Sequence, residues 1–162
     1  VDIGASSENE LLVLRRQNLG FVFQQSFLIS EMTLSENVEF PLLLQGFDKE
    51  ERRHLVSEIL ERLDLRGCEN QLPAELSGGQ KQRGAIARAM ISHPGVLLVD
   101  EPTGALDVSN GREVIEASGN LSREADTAVL MVSHDEDVLS RVDRIIQLVD
   151  GRIEIPPNPS AS

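Results

Sequence analysis

Apolar residues recur along this chain with two spacings, and the alternation between them lays out the elements. Leu11-Leu12-Val13-Leu14, running into Arg15-Arg16 after a polar opening, predicts a short helix. At Leu19-Gly20-Phe21-Val22-Phe23 the texture becomes aromatic and β-branched, as in a strand, and it stops at Gln24-Gln25. Thr33-Leu34-Ser35-Glu36 is a capping box, in which a hydroxyl and a carboxylate satisfy each other's orphan backbone donors, so a helix starts there. Pro41 should kink or end it near Phe40. After a break at Gly46, Asp48 and Glu51 can cap a second helix, in which Leu55, Val56, Ile59, Leu60 and Leu63 form one stripe. Glu50, Arg52, Arg53, Glu58 and Glu61 then read as a solvated face.

The second half continues the alternation. A helix after Gln80 has Ala85, Ile86, Ala89 and Met90 on one face, with Arg83 and Arg88 on others, and His93-Pro94 ends it because the residue before proline is pushed out of the helical region. Val96–Val99 and Ala128–Val132 are short continuous apolar runs, the pattern of strands buried on both faces in a parallel sheet. The helix expected between them, Gly111 to about Ala125, is a poor one: Ser118-Gly119 falls where the Val114 and Ile115 stripe should continue, and glycine alone costs roughly 1 kcal/mol against alanine. Arg144–Val149 and Arg152–Ile155 flank Asp150-Gly151 as a hairpin with a two-residue turn. The tail 156–162 is too rich in proline and serine to fold. The fold class is α/β with a mostly parallel sheet.

Composition narrows the functions. The 162 residues suffice for one domain with a core, possibly with a subdomain inserted. Fifteen basic against 27 acidic residues leave a net charge of −12, which disfavours nucleic acid and anionic lipid as direct ligands. No apolar run is long enough to span a bilayer, and the start lacks the regions of a signal peptide. The single cysteine, Cys68, excludes an internal disulfide, suits a reducing cytoplasm and reads as a structural or incidental thiol.

Two devices for phosphate chemistry stand in tandem. Ser77-Gly78-Gly79-Gln80 opens a helix: serine is a good cap, and two residues without side chains let an anion approach the free N–H groups. Val96–Val99 ends in Asp100-Glu101-Pro102, delivering two carboxylates at a strand's carboxyl end, where open α/β sheets place ligands. Each alone is commonplace, a capped turn or an acidic loop start. Gln24 and His134 also follow strands, where such residues are ordinarily surface or structural, and His93 carries no chemistry.

The joint order is far rarer: LSGGQ, a helix spaced with QR and ARA, then VLLVDEPT and a following LD. This stretch resembles the ATP-binding-cassette (ABC) ATPases, with LSGGQ as their signature loop and VLLVDE as Walker B. The resemblance implies a RecA-like P-loop NTPase fold with an inserted helical subdomain, truncated at the amino terminus. Residues 1–24 and 94–155 would form the partial ATPase core, 25–93 the helical subdomain ending in the signature helix, and 156–162 the tail. It further implies that Asp100 holds Mg²⁺, that Glu101 polarises the attacking water, that Gln24 of the Q-loop coordinates magnesium and orients that water, and that His134 in MVSHD is the switch histidine. Ser77, Gly78, Gly79 and Gln80 would meet nucleotide bound by a second copy, and Asp107 of the D-loop would cross to that copy in a head-to-tail dimer. Implied partners are ATP, a second nucleotide-binding subunit and transmembrane permease subunits or domains, with no nucleic acid; the implied place is the inner face of the cell membrane.

No GxxxxGK[ST] loop occurs in the 162 residues, so the amino-terminal part of a cassette is absent and ATP binding by this chain alone is not expected. The runs ENVEFPLLL and EPTGALD look closest to the macrolide-export, lipoprotein-release and cell-division branch. The 53 positions between Gln24 and Ser77 match a transporter's helical subdomain and leave no room for the long coiled coil of a DNA-maintenance ATPase, the alternative enzyme. A nonhydrolytic docking remnant is the third reading.

Overall fold

The computed structural model describes residues 4, 6–104 and 108–154, which fall into two compact units meeting at Val132 and Ser133. The first opens with helix α1, Glu8–Asn18. It starts earlier than the Leu11 run because the polar opening caps it: the Ser7 hydroxyl accepts the Glu10 N–H, and the Glu10 carboxylate accepts the Ser7 N–H at 2.8 Å. None of its side chains is buried. It feeds directly into strand β1, Leu19–Val22.

Three strands run parallel in the order β1, β2 (Val96–Asp100) and β3 (Ala128–Val132), with Val22 opposite Val99 and Asp100 opposite Val132. The alternation of the pleat sends Gly20, Val22, Leu97 and Val99 to one face, where they are buried. Helix α4, Gly78–Met90, covers that face so closely that a Cβ on Gly20 would stand 2.7 Å from the Ala89 carbonyl oxygen. The opposite face is open, with Phe21 and Leu130 exposed.

The burial expected of Ala128–Val132 is not found. β3 is a strand, but Leu130 and Val132 are 59% and 61% exposed. It pairs only with β2 among the described residues, so it lies at the sheet margin, where an apolar run finds no second neighbour.

Between β1 and β2 come α2 (Leu34–Gln45), α3 (Lys49–Arg62), a single 3₁₀ turn at Pro73–Glu75, and α4. The capping box forms as read, with the Thr33 N–H donating to the Glu36 carboxylate at 2.8 Å. Pro41, however, neither ends nor stops α2, which continues to a left-handed cap at Gly46. A proline inside a helix costs about 3 kcal/mol. Leu34, Val38 and Leu42 lie fully buried on one stripe across it, and at about 1.5–3 kcal/mol each they outweigh that cost. Arg52 also departs from its expected solvated face: its side chain is largely buried, with Nε donating to Glu39 at 2.6 Å.

Buried Asn37 stitches the loop before α2. Its Oδ1 accepts the Ile29 N–H at 2.7 Å, and its Nδ2 lies 3.0 Å from the carbonyls of Ile29, Met32 and Thr33. Helix α5, Val108–Glu124, crosses from β2 to β3 without a break at Ser118-Gly119. The Ser118 hydroxyl donates to the Val114 carbonyl at 2.7 Å, so a small polar residue sits satisfied in the stripe between Val114 and Leu121.

In the second unit a short helix α6, Glu136–Leu139, unforeseen from the sequence, precedes the hairpin of β4 (Gln147–Val149) and β5 (Arg152–Glu154). Asp150 and Gly151 have φ of 48° and 74°, the double left-handed pair of a type I′ turn. Ile155 and the tail lie outside the described residues.

Candidate nucleotide site

Because the strands are parallel, every carboxyl end opens on the same edge of the sheet, and three of the sequence candidates, Gln24, Asp100 and Glu101, follow strand ends there. β1 leads through Phe23 into Gln24; β2 ends in Asp100, which is exposed, and turns at once into Glu101. Glu101 has φ of 41°, unusual for a residue with a side chain and costing on the order of 1–3 kcal/mol. Two hydrogen bonds hold it there: its N–H donates to the Val132 carbonyl at 3.0 Å, and its carbonyl accepts the Gly104 N–H at 3.1 Å. The left-handed φ ends the extended conformation of β2, so the strand's alternation stops at Asp100.

Gly104 closes that turn, and its lack of a side chain is used. A Cβ there would stand 2.7 Å from Gln24 Nε2 and 3.3 Å from its Cδ. The Gln24 amide therefore packs against Gly104, the residue that closes the turn begun at Glu101.

The start of α4 is built as the sequence indicates. The Ser77 hydroxyl accepts the Gln80 N–H at 3.2 Å, and the Gln80 side-chain oxygen accepts the Ser77 N–H at 2.8 Å. That capping box leaves the Gly78 and Gly79 N–H groups as the first-turn donors outside it. Gln80 is otherwise turned inward, with Nε2 at 3.5 Å from the buried Cys68 sulfur, which gives Cys68 a packing role. Among the described residues, Ser77–Gln80 make no hydrogen bond to Gln24 or Asp100. His134 lies in the second unit, two residues past β3, next to Ser133, whose hydroxyl accepts the Asp135 N–H at 3.1 Å. Asp107 lies outside the described residues.

Magnesium can be judged by the donors present. Among the described residues no three of His, Cys, Asp and Glu gather into a metal cage. The edge offers one exposed carboxylate, Asp100, at the end of β2, and a side-chain amide, Gln24, two residues past the end of β1. This suits a hard cation that keeps waters and substrate phosphates as its remaining ligands, which is how Mg²⁺ is ordinarily held.

Sequence reading missed three residues that shape this edge: Gln82, Arg88 and Gly104. Gln82 is 3% exposed and donates from Nε2 to the Phe23 carbonyl at 2.9 Å. Arg88 donates from Nη1 to the Phe27 carbonyl at 2.8 Å and from Nη2 to the Ser26 carbonyl at 3.0 Å. The available signal was a polar residue, Gln82, on a helix otherwise rich in small and apolar residues.

Comparisons with known proteins identify the family. The family model described as ABC transporter matches residues 2–104. The macrolide export ATP-binding/permease protein MacB of Bartonella henselae is 45% identical over 147 residues, covering 91% of this chain and 22% of that protein. The uncharacterized ABC transporter ATP-binding protein YvrO of Bacillus subtilis is 39% identical over 153 residues, covering 94% of this chain and 66% of that one. Among solved structures, the dimeric post-hydrolysis state of the ATP-binding cassette MJ0796 bound to ADP and Pi superposes with a TM-score of 0.82 at 39% identity, covering 96% of this chain and 71% of that one. The chain thus spans under a quarter of the macrolide exporter's length and about two thirds of the separate ATP-binding protein's. With more than half of its residues matched by the family model, and with its sheet edge carrying the acidic pair and Gln24 together, the chain belongs to the ABC transporter family.

Proposed function

We propose that this chain is part of the ATP-binding and ATP-hydrolysing subunit of an ABC transporter, powering movement of a substrate across or out of a membrane. The observation that carries the reading is the meeting of Gln24 with the Glu101–Gly104 turn at the carboxyl edge of the parallel sheet. Asp100 and Gln24 would hold Mg²⁺, which supplies charge neutralisation to the phosphates when bound. Glu101 polarises the attacking water, and His134 meets the γ-phosphate from the loop after β3. Ser77, Gly78, Gly79 and Gln80 meet nucleotide on a second subunit, the N–H groups of Gly78 and Gly79 being the ones the capping box leaves for it, with Asp107 crossing between the two, in a head-to-tail dimer. The solved relative described as dimeric supports that assembly.

Residues 25–93 act as the helical subdomain that meets a membrane permease, with residues 1–24 and 94–155 as the ATPase core. No helix of the described residues is long and apolar enough to cross a membrane, so attachment at the inner face of the membrane runs through that permease. The macrolide-export relative, whose name joins ATP-binding and permease functions, supports the pairing.

The decisive experiment replaces Glu101 with Gln in a chain joined to the phosphate-binding loop that these 162 residues do not contain. Size and hydrogen bonding persist while the base is lost, so turnover should fall about 10²–10⁴-fold, roughly 3–5 kcal/mol of barrier, with nucleotide affinity little changed. ATP then persists, and a stable ATP-dependent dimer appears on size exclusion. Hydrolysis at the parent rate would reduce Glu101 to the first residue of a loop. The 162 residues alone should show no micromolar binding of magnesium-ATP by calorimetry.

A further inference from the structure

We propose that Gln82 and Arg88, both on α4, are positioning residues for Gln24: they grip the main chain on either side of it and set where its amide is presented. The proposal rests on the reading of Gln24 as a group that meets magnesium and nucleotide.

Residues 24–28 belong to no helix or strand, and among the described residues no backbone–backbone hydrogen bond involves them. A segment held so little by its own backbone would sample many conformations, each placing Gln24 differently. Two side chains replace the missing ladder. Gln82 takes the Phe23 carbonyl, immediately before Gln24, and the Arg88 fork takes the consecutive carbonyls of Ser26 and Phe27, just after Gln25. The two donors stand six residues apart, about 9 Å along the helix axis, so the segment is fixed at two separated points.

The chemistry of Arg88 argues for position over plain packing. Its side chain is half-buried, and among the described residues it forms no ion pair. Desolvation pushes its pKa down. A buried charge without a counter-charge is costly, and an apolar side chain would fill the space more cheaply. What the guanidinium adds is a planar fork that fixes two neighbouring carbonyls at once by charge-assisted hydrogen bonds.

The same helix begins with the capped Ser77-Gly78-Gly79 turn. That turn and the two grips on the segment around Gln24 therefore stand on one helix. This links the surface offered to a second subunit with the magnesium side of the chain's own site.

The test uses the intact ATPase containing this chain, with the variants Gln24→Ala, Arg88→Ala, Arg88→Lys and Gln82→Met, and the double variant Gln24→Ala with Arg88→Lys. Steady-state hydrolysis is titrated with Mg²⁺ at saturating ATP, and hydrogen exchange is followed at the amides of residues 24–28. Arg88→Ala should lower kcat by up to about 10²-fold, the scale of an ångström-sized misplacement, and raise the Mg²⁺ needed for half-maximal rate while KM for ATP stays near the parent's. Arg88→Lys, which keeps the charge but loses the fork, should fall between, and Gln82→Met should move the same way. Arg88→Lys should add nothing to Gln24→Ala, because both act through one group. If Arg88→Ala does not fold, Arg88→Lys and Gln82→Met carry the test. Losses that multiply in the double variant, or unchanged exchange at residues 24–28 in Arg88→Lys and Gln82→Met, would overturn the proposal. An unchanged Mg²⁺ dependence in Gln24→Ala with faster exchange in the others would leave the grip standing and remove the role given to Gln24.

Discussion

Helix α4 and strand β3 are both apolar along most of their length, yet they have opposite environments. In α4, Ala85, Ile86 and Ala87 are essentially inaccessible, enclosed by the sheet, α2 and α5. In β3, Val129, Leu130 and Val132 face solvent at the sheet margin. Composition alone would have ranked β3 as the more deeply buried. The difference shows that an apolar run specifies a conformation and a preference, while burial is decided by what neighbours the chain can bring. α4 finds its neighbours in elements close in sequence on both sides, whereas β3, among the described residues, pairs with β2 alone.

The contrast can be broken most directly in α4. Ile86→Ala in the 162-residue chain should cost about 2–5 kcal/mol in urea unfolding, because the tightly enclosed site leaves a cavity. A cost below about 1 kcal/mol would mean the helix is far more loosely packed than its burial indicates. Gly20→Ala tests the helix–sheet contact from the other side. The added Cβ would meet the Ala89 carbonyl at 2.7 Å and a Leu97 methyl at 2.8 Å, and since backbone is slow to yield, about 1–3 kcal/mol should be lost.

Leu130→Thr should change stability by less than about 0.5 kcal/mol, as for other exposed positions. A loss comparable to that of Ile86→Ala would show that β3 is covered in solution. The smallest effect concerns acid. The Glu36 carboxyl is held below its ordinary value of 4.5, first by the Thr33 N–H and then by the Thr33 hydroxyl. Its folded pKa is depressed, so the capping contribution is present above the ordinary carboxylate range and is lost as pH falls through the folded value. The melting temperature should therefore drop on acidification below about pH 4, and drop less in Glu36→Gln. Glu10, lowered in the same way by Ser7, adds to the trend from α1.

Much of the site was legible in the sequence because its parts are local. A capping box needs only residues three apart, which is why Thr33–Glu36 was readable in advance; at Ser77 the sequence showed the serine cap, and the returning Gln80 arm came from the structure. Asp100 and Glu101 follow an apolar strand, and the strand's end is a place known before any partner is. Gln82, Arg88 and Gly104 were not legible: their partners lie 59, 61 and 80 positions away along the chain, at Phe23, Phe27 and Gln24. Asn37 was missed for a related reason, since a buried asparagine has no periodic signature and its role depends on how the preceding loop folds back.

The sequence by itself determined the order of strands and helices, the caps that start α2 and α4, and the acidic pair at the end of β2. Those follow from propensity, spacing and hydrogen bonds within a few residues. Only the tertiary structure decided that α2 runs through Pro41, that Arg52 is withdrawn from solvent, and that β3 stands exposed. Each of those outcomes is a sum over neighbours that the chain meets after folding. In α2, three buried side chains outweigh one missing hydrogen bond and its clash; at β3, no second neighbour arrives to complete the burial that its residues favour.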